Sequence, residues 1–210
     1  MSSARSCPFA VAGSVLAVLL GTASAVCAQN DARDAERLIK ALEVKTGHTV
    51  AEVGAGGGAL TVAMAREVGP TGRVYSSELG ESRIASLQTA VDRASLPQVT
   101  VLAGATVATN LPDGCCDALF MRVVYHHFAD PVTMNASLFS ALKPGGRLAI
   151  IDFVPRGGRQ AETPDDRDEG DRHGVSPETV AAELKHAGFE VLSVERGSDR
   201  DFMVVARKPS

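Results

Sequence analysis

From residue 31 onward, apolar positions recur first at helical spacing and then in short β-branched runs, and the two patterns alternate along the chain. Ala35, Leu38, Ile39 and Leu42 mark one face of an amphipathic helix predicted over Asp31 to Val44. A strand is expected at Thr49 to Val53, then a glycine loop, then a helix from about Ala59 to Val68 stopped by Gly69-Pro70. Arg73 to Glu78 predicts the second strand. Residues 81–94 place Ile84, Leu87, Val91 and Ala94 on one helical face, and Val99 to Ala103 predicts the third strand.

Asp117 to Arg122 reads as a fourth strand. Asp130-Pro131 offers a capping acid and a first-turn proline to a helix running to Leu142. Arg147 to Phe153 is apolar almost throughout, as a central strand covered on both faces should be. Ser176-Pro177 opens the last helix and Gly188 closes it. Phe189 to Glu195 and Asp201 to Ala206 read as a terminal hairpin. Strands alternating with helices imply an α/β fold, with a mostly parallel sheet and helices on both faces. Ligands of such sheets bind beyond the carboxyl ends of the strands, where the strand order reverses.

Residues 1–28 stand apart from this pattern. Arg5 precedes an apolar stretch, Phe9 to Leu20, too short to span a bilayer comfortably, and small-residue motifs follow at Ala23-Ser24-Ala25 and Val26-Cys27-Ala28. They are read as a signal peptide, with residues 29–210 as the mature domain, periplasmic or secreted, and no stable membrane span after cleavage. A misassigned start would instead leave the protein in the cytoplasm. The formal net charge of −4 becomes −5 without Arg5, and no basic run appears. That argues against nonspecific nucleic-acid binding. Cys115 and Cys116 are adjacent, a geometry that disfavours an ordinary disulfide; one packed and one surface thiol is the expectation.

The chemistry gathers at Thr49 to Ala59, Thr-Val-Ala-Glu-Val-Gly-Ala-Gly-Gly-Gly-Ala. Glycine lets the chain turn sharply and lets a ligand reach main-chain N–H groups. Gly54-x-Gly56-x-x-Ala59, with Glu78 about two dozen residues on, satisfies the dinucleotide pattern and would permit an NAD-type oxidoreductase. Glu52 opposes that reading. Its carboxylate, two residues before the first glycine, would repel a pyrophosphate and attract a sulfonium or ammonium.

This stretch resembles motif I of the class I S-adenosylmethionine-dependent methyltransferases. The likeness continues in order through Gly72-Arg73-Val74-Tyr75 to Glu78, Leu111-Pro112-Asp113-Gly114, Tyr125-His126-His127-Phe128 and Leu142-Lys143-Pro144-Gly145-Gly146-Arg147. The resemblance implies a Rossmann-like sheet of seven strands, ending in an antiparallel hairpin, and S-adenosyl-L-methionine as cofactor. It implies that Glu52, Gly54, Ala55, Gly56 and Gly58 cradle the methionine end, that Glu78 takes both ribose hydroxyls, and that Leu79 packs on adenine. Arg122 and Val123 would lie beneath the sulfonium. Gly104-Ala105-Thr106 occupies the loop where many relatives carry an Asp or Asn for the adenine amino group, and Ala105 cannot make that bond.

The implied reaction is methyl transfer to a small-molecule acceptor, in which alignment supplies much of the rate and a base is needed only for a protonated acceptor. Tyr125, His126 and His127 are the candidate catalytic residues, with Asp152 and His173 also near strand ends. Adjacent His126-His127 plus distant His173 is too loose a spacing to predict a metal site. Residues 161–172 hold six acids and two bases, either as a solvated loop or as a lid favouring cationic or neutral acceptors. A non-catalytic S-adenosylmethionine- or nucleoside-binding protein of the same fold is the alternative. The oligomeric state is not legible.

Overall fold

The computed structural model describes residues 29–168, 170–197 and 199–210; the signal-peptide reading of 1–28 falls outside them. Residues 29–42 form helix α1. In chain order there follow β1 (Thr49–Val53), α2 (Ala59–Val68), β2 (Arg73–Glu78), α3 (Glu81–Ala94), β3 (Val99–Ala103), β4 (Cys116–Arg122), α4 (Pro131–Ala141), β5 (Leu142–Phe153), α5 (Pro177–His186), β6 (Glu190–Arg196) and β7 (Asp201–Arg207). The strands form one sheet in the order β3-β2-β1-β4-β5-β7-β6. Neighbours from β3 to β5 are parallel, and β7 runs antiparallel to both β5 and β6. This is the seven-stranded arrangement expected.

Strand periodicity divides the core. Val50, Phe120, Ile151 and Val205 pack with Leu38 and Leu42 of α1 and with Met64 and Val68 of α2. Leu119, Met121, Ile150 and Val204 face the other way, onto Leu138 of α4 and Leu184 of α5. Residues two apart on a strand share a face, so the alternation along β4, β5 and β7 explains why both faces carry helices. The capping predictions also match local geometry: Asp130 and Ser176 accept from the Thr133 and Thr179 amides, each ahead of a first-turn proline.

Two expectations are corrected. The Lys143-Pro144-Gly145-Gly146 break belongs to β5, whose first residue Leu142 pairs with Cys116 before a register shift. Gly145 and Gly146 exchange main-chain hydrogen bonds with Lys208, so turn-forming residues are accommodated at the end of a ladder. Cys115 and Cys116 are joined by a disulfide (S–S 2.07 Å), with Cys116 fully buried at the start of β4. The thiol pair expected from their adjacency is not what forms. Among the described residues no helix is long and apolar enough to cross a membrane.

Candidate functional site

The chain leaves β1 for β2 and β3 on one side, then returns to β4 on the other, so the loops after β1 and β4 diverge over one crevice. A cavity of about 1160 Å³ opens there. Every residue expected to hold the cofactor lines it except Gly58. Gly58 is instead the left-handed N-cap of α2, and a Cβ there would stand 2.9 Å from Leu87 Cδ1. Its place is between two helices. Gly54 meets the opposite wall: its φ is +74°, and a Cβ would fall 2.4 Å from Val124 Cγ2. The loop after β1 can approach the loop after β4 only because that side chain is absent.

Glu78 ends β2 with a braced carboxylate. The Gly56 N–H donates to Oε2 at 2.6 Å and the Leu79 N–H donates to Oε1 at 2.7 Å, while the residue is 5% exposed. Each oxygen keeps a second lone pair, so the group is held rigid and remains able to accept from a diol. Leu79 beside it is exposed in the cavity wall. Ala105 and Thr106 line the same end, and Ala105 offers no side-chain acceptor.

Glu52 shares the face of Val50, so its carboxylate turns under the glycine loop toward α2. Oε2 accepts from Thr61 at 2.5 Å and from Ser76 at 3.5 Å. Burial pushes its pKa up to about 7 against the lowering effect of Thr61, Arg122 and Ser76. Arg122 is tied to α1, 2.6 Å from Asp31 and 3.2 Å from Asp34. Burial alone would lower its pKa, but the bonds to these two carboxylates outweigh it and raise it above the ordinary arginine value. Val123 holds φ +58°, rare for a β-branched residue, with its N–H bonded to the Ile151 carbonyl and its side chain exposed at the cavity.

The three catalytic candidates part company in a single turn of 3₁₀ helix, Tyr125–His127. Tyr125 is buried away from the cavity, donating to Glu183 at 2.8 Å and accepting from Asn135 at 2.7 Å. Burial first, then the Glu183 carboxylate, hold its phenol far above the usual range. His126 is buried too, with Nδ1 2.8 Å from Asp152 Oδ1, and does not line the cavity. His127 does line it; half exposed, it pairs through Nδ1 with Asp168 at 2.6 Å. Asp152 also reaches the cavity wall.

None of the described residues between 161 and 172 lines the cavity. They are not simply solvated either, because Arg167 is buried against Glu183 at 2.5 Å. Their fold brings the His173 ring within 4.9 Å of His126, centre to centre. The segment between β5 and α5 doubles back onto the turn after β4, which brings together histidines whose spacing in the chain is too loose to predict a metal site. Desolvation and then the His126 ring lower the His173 pKa. Sequence reasoning missed Asp31, Asp34, Asp199 and Asp201 as wall residues, since only tertiary structure brings them to the crevice. Thr61 beneath Glu52 carried a signal, a hydroxyl on the first turn of the helix after the loop.

Residues 51–150 match the Methyltransferase domain family (Methyltransf_11). The matched stretch, just under half of the chain, is similar to a methyltransferase domain. The span runs from β1 through the glycine loop, Glu78 and the turn after β4 into β5. The ubiquinone/menaquinone biosynthesis C-methyltransferase UbiE of Saccharophagus degradans is 31% identical over 112 residues, 53% of this chain and 45% of that protein. The chain thus spans under half the length of that relative. The crystal structure of a SAM-dependent methyltransferase from Aquifex aeolicus superposes with a TM-score of 0.71 at 28% identity, over 83% of this chain and 89% of that one. A phosphoethanolamine N-methyltransferase 2 from Haemonchus contortus, in complex with S-adenosyl-L-methionine, shares the fold at 18% identity, over 85% of this chain and 53% of that one, with a TM-score of 0.70. The chain carries the Rossmann-like sheet, with the crevice where such sheets bind their ligands.

Proposed function

We propose that the protein transfers a methyl group from S-adenosyl-L-methionine to a small-molecule acceptor. The observation that carries this reading is Glu78, whose two carboxylate oxygens are fixed by the Gly56 and Leu79 amides at the end of β2, inside the cavity of a methyltransferase domain. A carboxylate set by main-chain donors suits a cis diol. The open space over Gly56 and Gly57, where an added Cβ would meet nothing within 4 Å, suits a ligand lying on the backbone. S-adenosylmethionine supplies, when bound, an electrophilic methyl on a sulfonium.

The chain's own groups then have separable tasks. Glu78 accepts the ribose hydroxyls, Leu79 packs on the base, and Glu52 with Arg122 sets the charge beneath the methionine end. Val123, Phe128 and Phe153 give the acceptor side apolar surface and exclude water. An acceptor that arrives protonated must lose its proton, and His127 is the candidate base that faces the cavity, with Asp168 orienting its ring. Tyr125 and His126 lie behind this wall and act by holding the turn.

Export of the mature domain belongs to the same proposal. It is supported by the signal-like segment 1–28 and by a disulfide suited to an oxidising compartment. Calorimetry with S-adenosylmethionine, S-adenosylhomocysteine and NAD tests the cofactor. We expect binding of the first two and not the third, weakened at least about tenfold, or 1.4 kcal/mol, by Glu78→Ala. Binding that ignores Glu78 removes the cofactor assignment. Turnover over an acceptor panel, read as a mass gain of one methylene, separates an enzyme from a binding protein.

A further inference from the structure

Behind the cavity wall, one ring nitrogen of His126, one of His173 and one carboxylate oxygen of Asp168 lie within 4.8 Å of one another. The three come from two segments, the turn after β4 and the stretch before α5. What singles the cluster out is His126. It is 1% exposed, its Nδ1 is engaged by Asp152, and its Nε2 is buried with no hydrogen-bond partner. A buried ring nitrogen without a partner forfeits the hydrogen bond it would make in water.

Asp152 is itself immobilised. Its Oδ1 accepts from the Phe153 amide at 2.8 Å and its Oδ2 from the His126 amide at 3.2 Å. A carboxylate on one ring nitrogen presents the other as a lone pair, which is how metal-binding histidines are oriented. The Phe153 and His173 rings sit 4.8 and 4.9 Å from the His126 ring and fix its plane.

We propose that His126, His173 and Asp168 bind a divalent transition-metal ion of the zinc class, with Asp152 as the positioning residue. Two imidazoles and a carboxylate match the ligand preferences of such ions. Bonds of about 2.0–2.1 Å hold tetrahedral ligands roughly 3.4 Å apart, so atoms within 4.8 Å of one another need to close by at most about 1.4 Å. Both His173 and Asp168 are exposed, which leaves room for that adjustment. Three protein ligands leave a position for water. The ion would pin the segment before α5 to the turn after β4. Because Asp168 also holds His127, it would set the one candidate base that faces the cavity. This assignment does not depend on methyl transfer.

The test is titration of the untagged full chain, stripped with a chelator and returned to chelator-free buffer, with Co²⁺ followed by visible absorption and then with competing Zn²⁺. One equivalent should saturate the signal, and Zn²⁺ should displace it. His173→Gln and Asp168→Asn, both at exposed side chains, should each weaken binding at least about tenfold. Asp152→Asn should weaken it by about 10–100-fold without removing a ligand. A signal that does not saturate near one equivalent overturns the proposal. So does Zn²⁺ affinity unchanged in both His173→Gln and Asp168→Asn, which would mark adventitious surface binding.

Discussion

Glu52 shows how far a single residue can be read before its neighbours are known. Its position before the glycines indicated a site that favours positive charge, but not that the carboxylate would be buried under α2 and pushed up to about 7. The groups around it are Thr61, Ser76, Arg122 and Glu78. With the folded pKa above the unfolded value of 4.5, the contribution to stability is fully present below pH 4.5 and is lost as pH rises through 7. The displacement is worth about 3 kcal/mol. Urea midpoints of the ligand-free protein should therefore fall between pH 5 and 8, and Glu52→Gln should remove most of that slope. An equal slope in the variant would assign the pH dependence elsewhere. A cation entering the cavity should ionise Glu52, so S-adenosylmethionine binding near pH 6 should release protons, seen as a heat that depends on the buffer.

At the scale of elements the sequence was most informative where a pattern is local. Helices α2 and α3 and strands β2 and β3 have the bounds that periodicity, caps and glycine stops predict. The miss was β5, extended through Pro144-Gly145-Gly146 by pairing with remote residues. Gly58, counted with the ligand loop because it stands in the same run, packs between two helices. Space separates the glycines of that run. Gly58→Ala puts a side chain at φ +79° against Leu87 and should cost about 1–2 kcal/mol in chemical denaturation. Gly57→Ala meets nothing and needs no left-handed backbone, so stability should hardly move. It lines the cavity, however, and should weaken S-adenosylhomocysteine binding in calorimetry. If the two variants behave alike, the packing and ligand faces of the loop are not distinct.

For the whole molecule, closure of the crevice depends on parts that the chain holds far apart. Helix α1 was recognisable as amphipathic, but its bond to Arg122 joins residues 88 positions apart, and no local pattern announces such a pairing. The ion pairs are only partly buried, so replacing Asp31 and Asp34 together by Asn should cost about 1 kcal/mol or less of stability. S-adenosylhomocysteine should bind several-fold more weakly and amide exchange in residues 29–42 should quicken; unchanged binding would show that α1 only packs. The single turn Tyr125–His127 distributes this architecture. A 3₁₀ helix advances about 120° per residue, so three consecutive side chains leave it in three directions: one into the packing beneath α4 and α5, one to Asp152, one to the crevice. The turn works as a three-way junction indexed by residue count. Exchanging one side chain disturbs one branch, whereas inserting one residue rotates all three to the wrong addresses at once.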